Sequence, residues 1–320
     1  MQLILAPMQG LTELLFRRVF HLAYPQAFDY AVSPFLSLTH GDVRRIDRKM
    51  EDVLPEFNKD CLPVVPQLLG HEAEEFVSMA NQLYEMGYTE VNWNMGCPMR
   101  RVAGKHRGSG ILPYPGEVKS ILAFVIPRIK PKLSVKVRLG YYSPCEIDSI
   151  MPILNEFPLS NITVHPRIGK QMYSGQPDIE KFAQILPLIH HPVIYNGDIC
   201  TPYDYQLIRR RFPQLKGVMI GRGALYNPLL PSVIRCQFPD DFSALVPSSL
   251  SELPSLETFV LMLTEAIVNA PLSSQAKVRK IKEYWCLLSR NLKGTELSKR
   301  RLLHAEDLDD ILRLIHEMAK

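Results

Sequence analysis

The segment Glu90-Val91-Asn92-Trp93-Asn94-Met95-Gly96-Cys97-Pro98 reads as a short β-strand, Glu90–Asn94, that runs into a tight turn. Apolar residues and residues with a high β propensity predict the strand, and Gly96 and Pro98 predict the turn. A helical pattern precedes it at Ala73–Met86, where apolar side chains recur at helical spacing. The segment is therefore one unit in a chain where strands and helices alternate.

Seven further runs of the same kind flank this one: Leu3–Ala6, Tyr30–Pro34, Val64–Leu68, Ser134–Arg138, Ile162–His165, Val193–Asn196 and Gly217–Ile220. Helical patterns lie between them, at Pro115–Ile129, Glu146–Phe157, Ile179–Ile189 and Tyr203–Phe212. Eight alternating strand–helix units predict an α/β fold, a closed (β/α)8 TIM barrel. An open doubly wound sheet is the alternative, but it calls for a G-x-G-x-x-G turn after an early strand, which this sequence lacks.

The pattern changes after the eighth unit. Residues 241–255 are rich in Pro and Ser and lack periodicity, which predicts a linker. Beyond it, helical patterns at Leu256–Ala270, Gln275–Leu292 and Ala305–Met318 predict a small C-terminal helical bundle. We therefore expect a barrel domain over 1–240, a linker over 241–255 and a helical domain over 256–320.

The composition is that of a soluble globular protein, with 46% hydrophobic and 22% charged residues among 320. A net charge of +4 means that any nucleic-acid surface must come from local clustering of basic residues. Six scattered cysteines without a C-x-x-C pair argue against a disulfide framework and a metal site, and suit a reducing cytoplasm. No run approaches the roughly 18 apolar residues of a membrane span, so we expect no membrane contact.

The active site of a TIM barrel lies at the carboxyl ends of its strands. The residues expected there are Ala6-Pro7-Met8, Gln67, Asn94 to Pro98, Lys136, Arg138, His165-Pro166-Arg167, Asn196-Gly197-Asp198 and Gly221-Arg222-Gly223. The glycine-rich turns after the seventh and eighth strands predict a phosphate cradle, although ordinary tight turns would look the same. Gln67 suits the edge of a flat heteroaromatic ring.

Lys136 and Cys97 carry the chemistry of this predicted site. A lysine in the middle of a buried strand needs an anionic partner. Three explanations stay open for Lys136: it contacts an electron-rich ligand, it forms a structural ion pair, or it forms a Schiff base. Cys97 lies between Gly96 and Pro98, beside a loop with Arg100, Arg101, Lys105, His106 and Arg107. Nearby positive charge favours the thiolate and tunes a cysteine for proton transfer, whereas most buried cysteines are inert.

The chain resembles the tRNA-dihydrouridine synthases over the whole barrel. The motifs that carry the resemblance, in order, are Ala6-Pro7-Met8, Asn94-Met95-Gly96-Cys97-Pro98, Val135-Lys136-Val137-Arg138, His165-x-Arg167, Asn196-Gly197-Asp198 and Ile220-Gly221-Arg222-Gly223. The resemblance implies bound FMN. Pro7, Met8, Gln9 and Gln67 would border its ring system, with Lys136 and His165 close by. Asn196, Gly197, Asp198, Gly221 and Arg222 would hold its phosphate end.

The same resemblance implies the reaction. NADPH would reduce the flavin, hydride would pass to C6 of a uridine, and Cys97 would protonate C5 to give 5,6-dihydrouridine. Because the flavin is recessed, the base must leave the stacked tRNA elbow to reach it. Asn94, Arg138, Arg167 and Tyr173 would contact the tRNA near the inserted uridine.

Basic residues cluster in the C-terminal helices between Lys277 and Arg301. We interpret Arg279, Lys280, Lys282 and Arg300 as tRNA-binding, although a solvated helix face is the common reason for such a run. Gln275–Leu292 and the following Gly294-Thr295-Glu296-Leu297 are similar to the C subfamily, which acts on uridine 16 of the D-loop. Uridine 17 or 20 is the alternative.

Three other functions compete with this one. They are an FMN barrel oxidoreductase acting on a free small molecule, an RNA-binding barrel without activity, and a Schiff-base aldolase that uses Lys136. The first leaves the basic C-terminal helices unexplained, and the presence of Cys97, Lys136 and His165 argues against the second. We expect a cytoplasmic monomer.

Overall fold

The computed structural model describes residues 1–38, 48–242, 250–292 and 296–318. Within them, ten strand segments form one parallel sheet. They are β1 Gln2–Leu5, β2 Tyr30–Val32, β3 Leu36–Ser37, β4 Val64–Val65, β5 Gln67–Leu69, β6 Glu90–Met95, β7 Lys132–Gly140, β8 Ile162–Ile168, β9 Val193–Tyr195 and β10 Gly217–Ile220.

The sheet closes into the predicted eight-stranded barrel because two of its strands are each split in two. β2 and β3 together make the second strand, β4 and β5 the third, and β2 pairs with β4 while β3 pairs with β5. Pro34 and Pro66 lie at the breaks, where a residue without an N–H cannot continue the ladder. Ser33 bridges the gap, since its N–H donates to Val65 O and its hydroxyl accepts from Gln67 N. The prediction of two uninterrupted strands here is wrong.

Helices follow the strands and continue to the C-terminus. They are α1 Leu14–Ala23, α2 Arg48–Glu51, α3 Pro55–Asn58, α4 Ala73–Glu85, α5 Arg100–Ala103, α6 Pro115–Val125, α7 Ile147–Asn155, α8 Ile179–Ile185, α9 Pro202–Arg211, α10 Arg222–Tyr226, α11 Leu230–Gln237, α12 Leu256–Asn269, α13 Ser274–Leu288, α14 Glu296–His304 and α15 Leu308–Met318. Among the described residues, none of these helices has both the length and the apolarity to cross a membrane.

The predicted helices agree with these bounds to within a few residues, except near the C-terminus. There, the predicted Ala305–Met318 begins only at Leu308, and α14 forms in a stretch to which no helix was assigned. Residues 243–249 of the predicted linker lie outside the described residues, and Leu250–Glu252 forms a 3₁₀ turn.

Two apolar layers hold the barrel together. The outward side chains of the strands, such as Val135 and Val137, pack under the surrounding helices. A small second cluster fills one side of the barrel interior and consists of Ile4, Ala6, Val32, Ile194 and Met219. The rest of the interior is polar, with Gln67, Asn92 and Ser134 joined by hydrogen bonds. The polar side of the interior leads towards the carboxyl ends of β6 and β7.

Helix α1 is one of the surfaces through which the C-terminal helices attach to the barrel. The Tyr284 ring of α13 stacks on Phe16 of α1, with 5.7 Å between ring centroids. Phe259 of α12 meets Phe16 and Phe20 edge-on. All four rings are almost completely buried, so the barrel core continues without a break into the C-terminal helices.

A buried ion pair holds α1 to the segment that precedes α3. Arg17 is fully buried and donates to Asp52 Oδ2 at 3.1 Å and to Thr12 O at 3.0 Å. Its other amino group donates to Asp52 O and to Asn58 Oδ1. Burial raises the pKa of Asp52 although Arg17 opposes the shift. Neither partner of this pair can be removed without stranding the other.

We predict that Arg17→Met lowers the free energy of unfolding by about 3–5 kcal/mol, because it leaves the Asp52 carboxylate buried without its cation. Chemical denaturation followed by circular dichroism measures the loss. Lys130→Met is the matched control, since its ion pair with Glu85 is exposed on both sides, at 57% and 66%, and such pairs contribute at most about 1 kcal/mol. Equal losses in the two variants would contradict the prediction.

Candidate active site

The register of the central strands brings the predicted site residues together. Asn94 of β6 lies beside Lys136 of β7, and Arg138 of β7 lies beside His165 of β8. These side chains line a cavity of about 380 Å³ at the carboxyl ends of the strands. The other predicted residues that line it are Pro7, Met8, Gln9, Cys97, Tyr173, Asn196, Gly197, Asp198, Gly221 and Arg222.

Two cations project from β7 into this cavity. Within the described ranges, no hydrogen bond or ion pair involves Lys136 Nζ, and burial together with Arg138 lowers the Lys136 pKa to about 7. Arg138 donates to the carbonyls of Gly96 and Ile168, at 2.9 and 3.0 Å. Burial lowers its pKa to about 10. Because neither cation is paired with a carboxylate, this side of the cavity favours an electron-rich ligand.

His165 is neutral at physiological pH, because burial and then the nearby cations Arg138, Lys136 and Arg167 lower its pKa well below 6.5. The Arg167 guanidinium lies 3.2 Å from His165 Nε2. Since arginine can only donate, Nε2 is the acceptor and the imidazole proton is assigned to Nδ1. The ring can therefore offer one fixed N–H donor.

The Cys97 turn is held from both sides. Asn94 Oδ1 accepts the N–H groups of Gly96 and Cys97, at 3.0 and 2.8 Å. The Cys97 carbonyl accepts both the N–H and the hydroxyl of Ser109, each at 3.0 Å. Gly108 has a φ of +57°, and a Cβ there would lie 2.6 Å from Cys97 O, so only glycine fits. The sequence reasoning missed the supporting residues Gly108 and Ser109, for which the Gly-Ser-Gly run at 108–110 was the available signal.

The Cys97 thiol is protonated at neutral pH. Burial raises its pKa, and this effect outweighs the Met99 N–H and the cations Arg138, Arg101 and Lys136, all of which lower it. The nearby positive charge favours the thiolate, as expected, but burial has the larger effect on the Cys97 pKa. A neutral thiol facing a cavity with cations around it is suited to donate a proton and to have its conjugate base stabilised afterwards.

The ends of β1, β9 and β10 meet on the opposite side of the cavity. Asp198 forms ion pairs with Arg167 and Arg222, both at 2.5 Å. Burial would raise the pKa of Asp198, but the two guanidinium groups outweigh it and hold the pKa below its usual range. A Cβ on Gly221 would lie 3.2 Å from Met8 Sδ, and one on Gly223 only 2.0 Å from Ile199 O. The backbone therefore forms a close-fitting, glycine-lined wall here.

Tyr173 covers part of the cavity mouth and is 47% exposed. Its ring lies over two guanidinium groups, 5.5 Å from that of Arg138 and 5.2 Å from that of Arg222. This arrangement presents a flat aromatic surface to solvent above a positively charged cavity. No pattern in the sequence pairs Tyr173 with these two arginines.

Gln67 and Arg167 both have hydrogen-bond partners within the protein. The Gln67 amide is fully buried, donates to Asn92 Oδ1 and accepts from Asn94 Nδ2, both at 2.7 Å. It therefore orients Asn94. Arg167 is 1% exposed and donates to Asp198 and to the carbonyls of Ser174 and Gly175. It supports the Tyr173 segment from below, and the contacts of Gln67 with the cofactor and of Arg167 with tRNA stay predictions.

One of the four basic residues predicted to bind tRNA on the C-terminal helices also has its partners within the protein. Arg279 and Arg300 are exposed and Lys282 is half-buried. Lys280 instead points into the barrel contact, where its ammonium group donates to Gly10 O and pairs with Glu13 at 2.7 Å. Its charge is neutralised within the protein, and tRNA binding by Lys280 stays a prediction. Lys299, another basic residue of this region, has a side chain outside the described part of the chain.

A family model described as "Dihydrouridine synthase (Dus)" matches residues 4–306. The chain belongs to this family. One similar sequence is "tRNA-dihydrouridine synthase B" of Escherichia coli (strain K12), which is 28% identical over 80% of this chain and 77% of the relative. The protein of the same name from Pasteurella multocida (strain Pm70) is 27% identical over 77% of this chain and 73% of the relative. A "Probable tRNA-dihydrouridine synthase" of Staphylococcus aureus (strain COL) is 30% identical over 70% and 69%.

Solved structures with the same fold include the old yellow enzyme homologue from Zymomonas mobilis. Its TM-score is 0.52 at 11% identity, over 78% of this chain and 91% of the other. A structure titled "Crystal structure of TcOYE with pHBA" has a TM-score of 0.52 at 11% identity, over 85% and 96%. At this identity the likeness supports the parallel barrel alone.

As a dihydrouridine synthase, the chain is an FMN-dependent oxidoreductase. The Schiff-base aldolase alternative is therefore wrong. The residues present fit the cofactor. Lys136 offers a cation that no described residue pairs with, and the glycine wall at Gly221 leaves the space that a Cβ would fill. Lys136 and His165 could contact the ring system, and the turns at Gly197 and Arg222 the phosphate.

We predict that FMN binds more weakly as the pH rises above about 7, because the free protein then loses the Lys136 charge that a bound, electron-rich ring stabilises. Below that pH the lysine is already charged and this contribution is complete. Fluorescence titration of FMN from pH 6 to 9 measures the slope. Lys136→Met should remove the pH dependence that is due to this residue, and an unchanged slope in the variant would contradict the assignment.

Proposed function

We propose that the protein is a tRNA-dihydrouridine synthase that reduces a D-loop uridine to 5,6-dihydrouridine, with NADPH as the source of electrons. The observation that carries this proposal is the protonated Cys97 thiol, which faces the same cavity as Lys136, Arg138 and His165. Saturating the C5=C6 bond of uridine needs one hydride and one proton. FMN, when bound, supplies the hydride, and the thiol is suited to supply the proton.

In this proposal the chain holds the cofactor with residues from several strand ends. Pro7, Met8 and Gln9 would border the ring system, and Lys136 and His165 would donate hydrogen bonds to it. Asn196, Gly197, Asp198, Gly221 and Arg222, all of which line the cavity, would hold the phosphate end. Since Arg167 and Arg222 neutralise Asp198, the carboxylate does not repel a phosphate as an unpaired one would.

Cys97 passes its thiol proton to C5 while hydride arrives at C6. The C5=C6 π bond is lost, one C–H bond forms at each carbon, and the sulfur keeps the electron pair of the broken S–H bond. Arg138, Arg101 and Lys136 stabilise the resulting thiolate, since each lowers the Cys97 pKa. A proton from solvent restores the thiol before the next turnover.

The tRNA contacts follow from the exposed groups at the mouth and on the C-terminal helices. Tyr173 gives a flat surface on which a flipped-out base can stack, with Arg138 beneath it. Both polar side-chain atoms of Asn94 form hydrogen bonds within the protein. We therefore propose that Asn94 shapes the wall of the uridine pocket. Arg279, Lys282 and Arg300 contribute phosphate contacts.

This assignment gives each part of the chain a role. We propose that residues 1–240 are the catalytic domain, 241–255 the linker and 256–320 the tRNA-binding domain of a cytoplasmic monomer. The modified position is the most specific part of the proposal. The C-terminal motif favours uridine 16, but the relatives from Escherichia coli and Pasteurella multocida are named synthase B, which gives the C subfamily no support.

Primer-extension mapping of dihydrouridine on unmodified tRNA, supplied with FMN, NADPH and the protein, tests both parts. Product at position 16 supports the C-subfamily assignment, and product at 17 or 20 overturns it while keeping the activity. No product on tRNA, with turnover of a free pyrimidine, would favour the alternative of a small-molecule oxidoreductase.

We predict that Cys97→Ala retains bound FMN but loses dihydrouridine formation by about 10²–10⁴-fold, the range for a missing general acid. Cys200→Ala is the matched control, because Cys200 lines the same cavity and has no role in the proposed reaction. Bound flavin is read from the visible spectrum and turnover from the mapped product. A Cys97→Ala protein without flavin would show that the thiol has a structural role instead.

A further inference from the structure

Helix α13 contacts the loop that follows β1. The Lys280 ammonium group donates to Gly10 O and forms an ion pair with Glu13. One turn further along the helix, the Tyr284 hydroxyl donates to Leu11 O at 2.6 Å. Tyr284 is 2% exposed, and burial raises its pKa well above 10, so the hydroxyl keeps its proton and remains a donor.

The contacted residues are tied directly to the cavity wall. The N–H groups of Leu11 and Thr12 donate to Met8 O, at 2.9 and 3.0 Å. The Thr12 hydroxyl accepts from Met8 N at 2.8 Å and donates to Ala6 O at 2.9 Å. Pro7 and Met8, which line the cavity, are thus held by a turn whose outer side is bound to α13.

The backbone conformation of this turn requires glycine. Gly10 has a φ of +80°, where a residue with a Cβ is strained. The nearest atom to a Cβ there would be Glu283 Oε1 at 3.3 Å, which is the end of a flexible side chain and can move aside. The conformation of Gly10 presents the carbonyl to which Lys280 donates.

The residues just after the same helix contact α10, the short helix that follows β10. The Arg290 guanidinium lies 4.4 Å from the centre of the Tyr226 ring, and Asn291 Nδ2 donates to Tyr226 O at 2.8 Å. Tyr226 ends α10, whose first residues Arg222 and Gly223 line the cavity. The segment from Lys280 to Asn291 thus holds two of the loops that form the proposed cofactor site.

We propose that Lys280 and Tyr284 are positioning residues for the cofactor: through Gly10 and Leu11, they fix the loop at Pro7 and Met8 against bound FMN, whether or not RNA is present. The proposal rests on the assignment of this cavity to FMN. The C-terminal helices would then position the cofactor loop in addition to binding tRNA. Lys280 points towards the barrel and acts on the cofactor loop, whereas its neighbours Arg279 and Lys282 contact RNA.

The first test compares two tyrosines that tie the C-terminal region to the barrel. Tyr284→Phe removes the bond to Leu11 O, and Tyr24→Phe removes an equivalent bond to Pro254 O, at 3.1 Å, from a tyrosine that does not line the cavity. We expect Tyr284→Phe to weaken FMN binding by about threefold to tenfold, the effect of one buried hydrogen bond. Tyr24→Phe should leave the FMN dissociation constant unchanged. Both constants come from fluorescence titration without tRNA.

The second test asks whether the location of the Lys280 charge matters, and not only the total charge of helix α13. Lys280→Met and Lys282→Met remove the same charge from the same helix, but only Lys280 contacts the β1 loop. Lys280→Met should weaken FMN binding and shift the visible absorption band of the flavin at saturation. Lys280→Arg, which keeps a cationic donor, should restore both, and Lys282→Met should alter neither.

The outcomes are distinct from those that test the proposed function. A wild-type protein that does not bind FMN would remove the basis of both. If wild type binds FMN and the Tyr284→Phe and Lys280→Met proteins bind it equally well, the positioning role is wrong and the synthase assignment is untouched. Equal weakening in Tyr284→Phe and Tyr24→Phe would also overturn it, because the effect would then be one of general stability.

Discussion

The interior of the barrel has to accommodate two cations on one strand. Lys136 and Arg138 lie on the inward side of β7 without a carboxylate beside them, in an environment where an unpaired charge is costly. The structure satisfies Arg138 with the carbonyls of Gly96 and Ile168, which draws together the ends of β6 and β8. Among the described residues, it gives Lys136 no hydrogen-bond or ion-pair partner. The Cys97 turn and the Tyr173 segment are built around this electropositive centre.

Much of this arrangement could be predicted from the sequence, because it follows from alternation along parallel strands. Once Glu90–Asn94 and Ser134–Arg138 are recognised as neighbouring strands, Asn94, Lys136 and Arg138 must face the same interior. The residues whose partners within the protein were not predicted have long polar side chains. Gln67 and Lys280 each have enough reach to bond inside the protein or outside it, and the choice depends on partners such as Asn92 and Gly10 that only the folded chain brings near.

The protonation state of Cys97 shows the same limit in electrostatic terms. The sequence places several basic residues near the thiol, and their charges alone would lower the Cys97 pKa. The fold adds the burial of the sulfur, which acts in the opposite direction and prevails. Burial is a property of packing from many segments, including the Gly108 turn that closes over Cys97, so no local motif contains it.

The bonds from α13 to the first loop also bear on how the protein is made. Lys280 and Gly10 are separated by 270 positions along the chain, and Tyr284 and Leu11 by 273. At about 5–20 residues per second, a ribosome adds the helix roughly a quarter of a minute to a minute after the loop it will hold. The nascent barrel must wait for its last helices before its first turn is locked. Until then the loop that carries Pro7 and Met8 lacks the bonds from Lys280 and Tyr284.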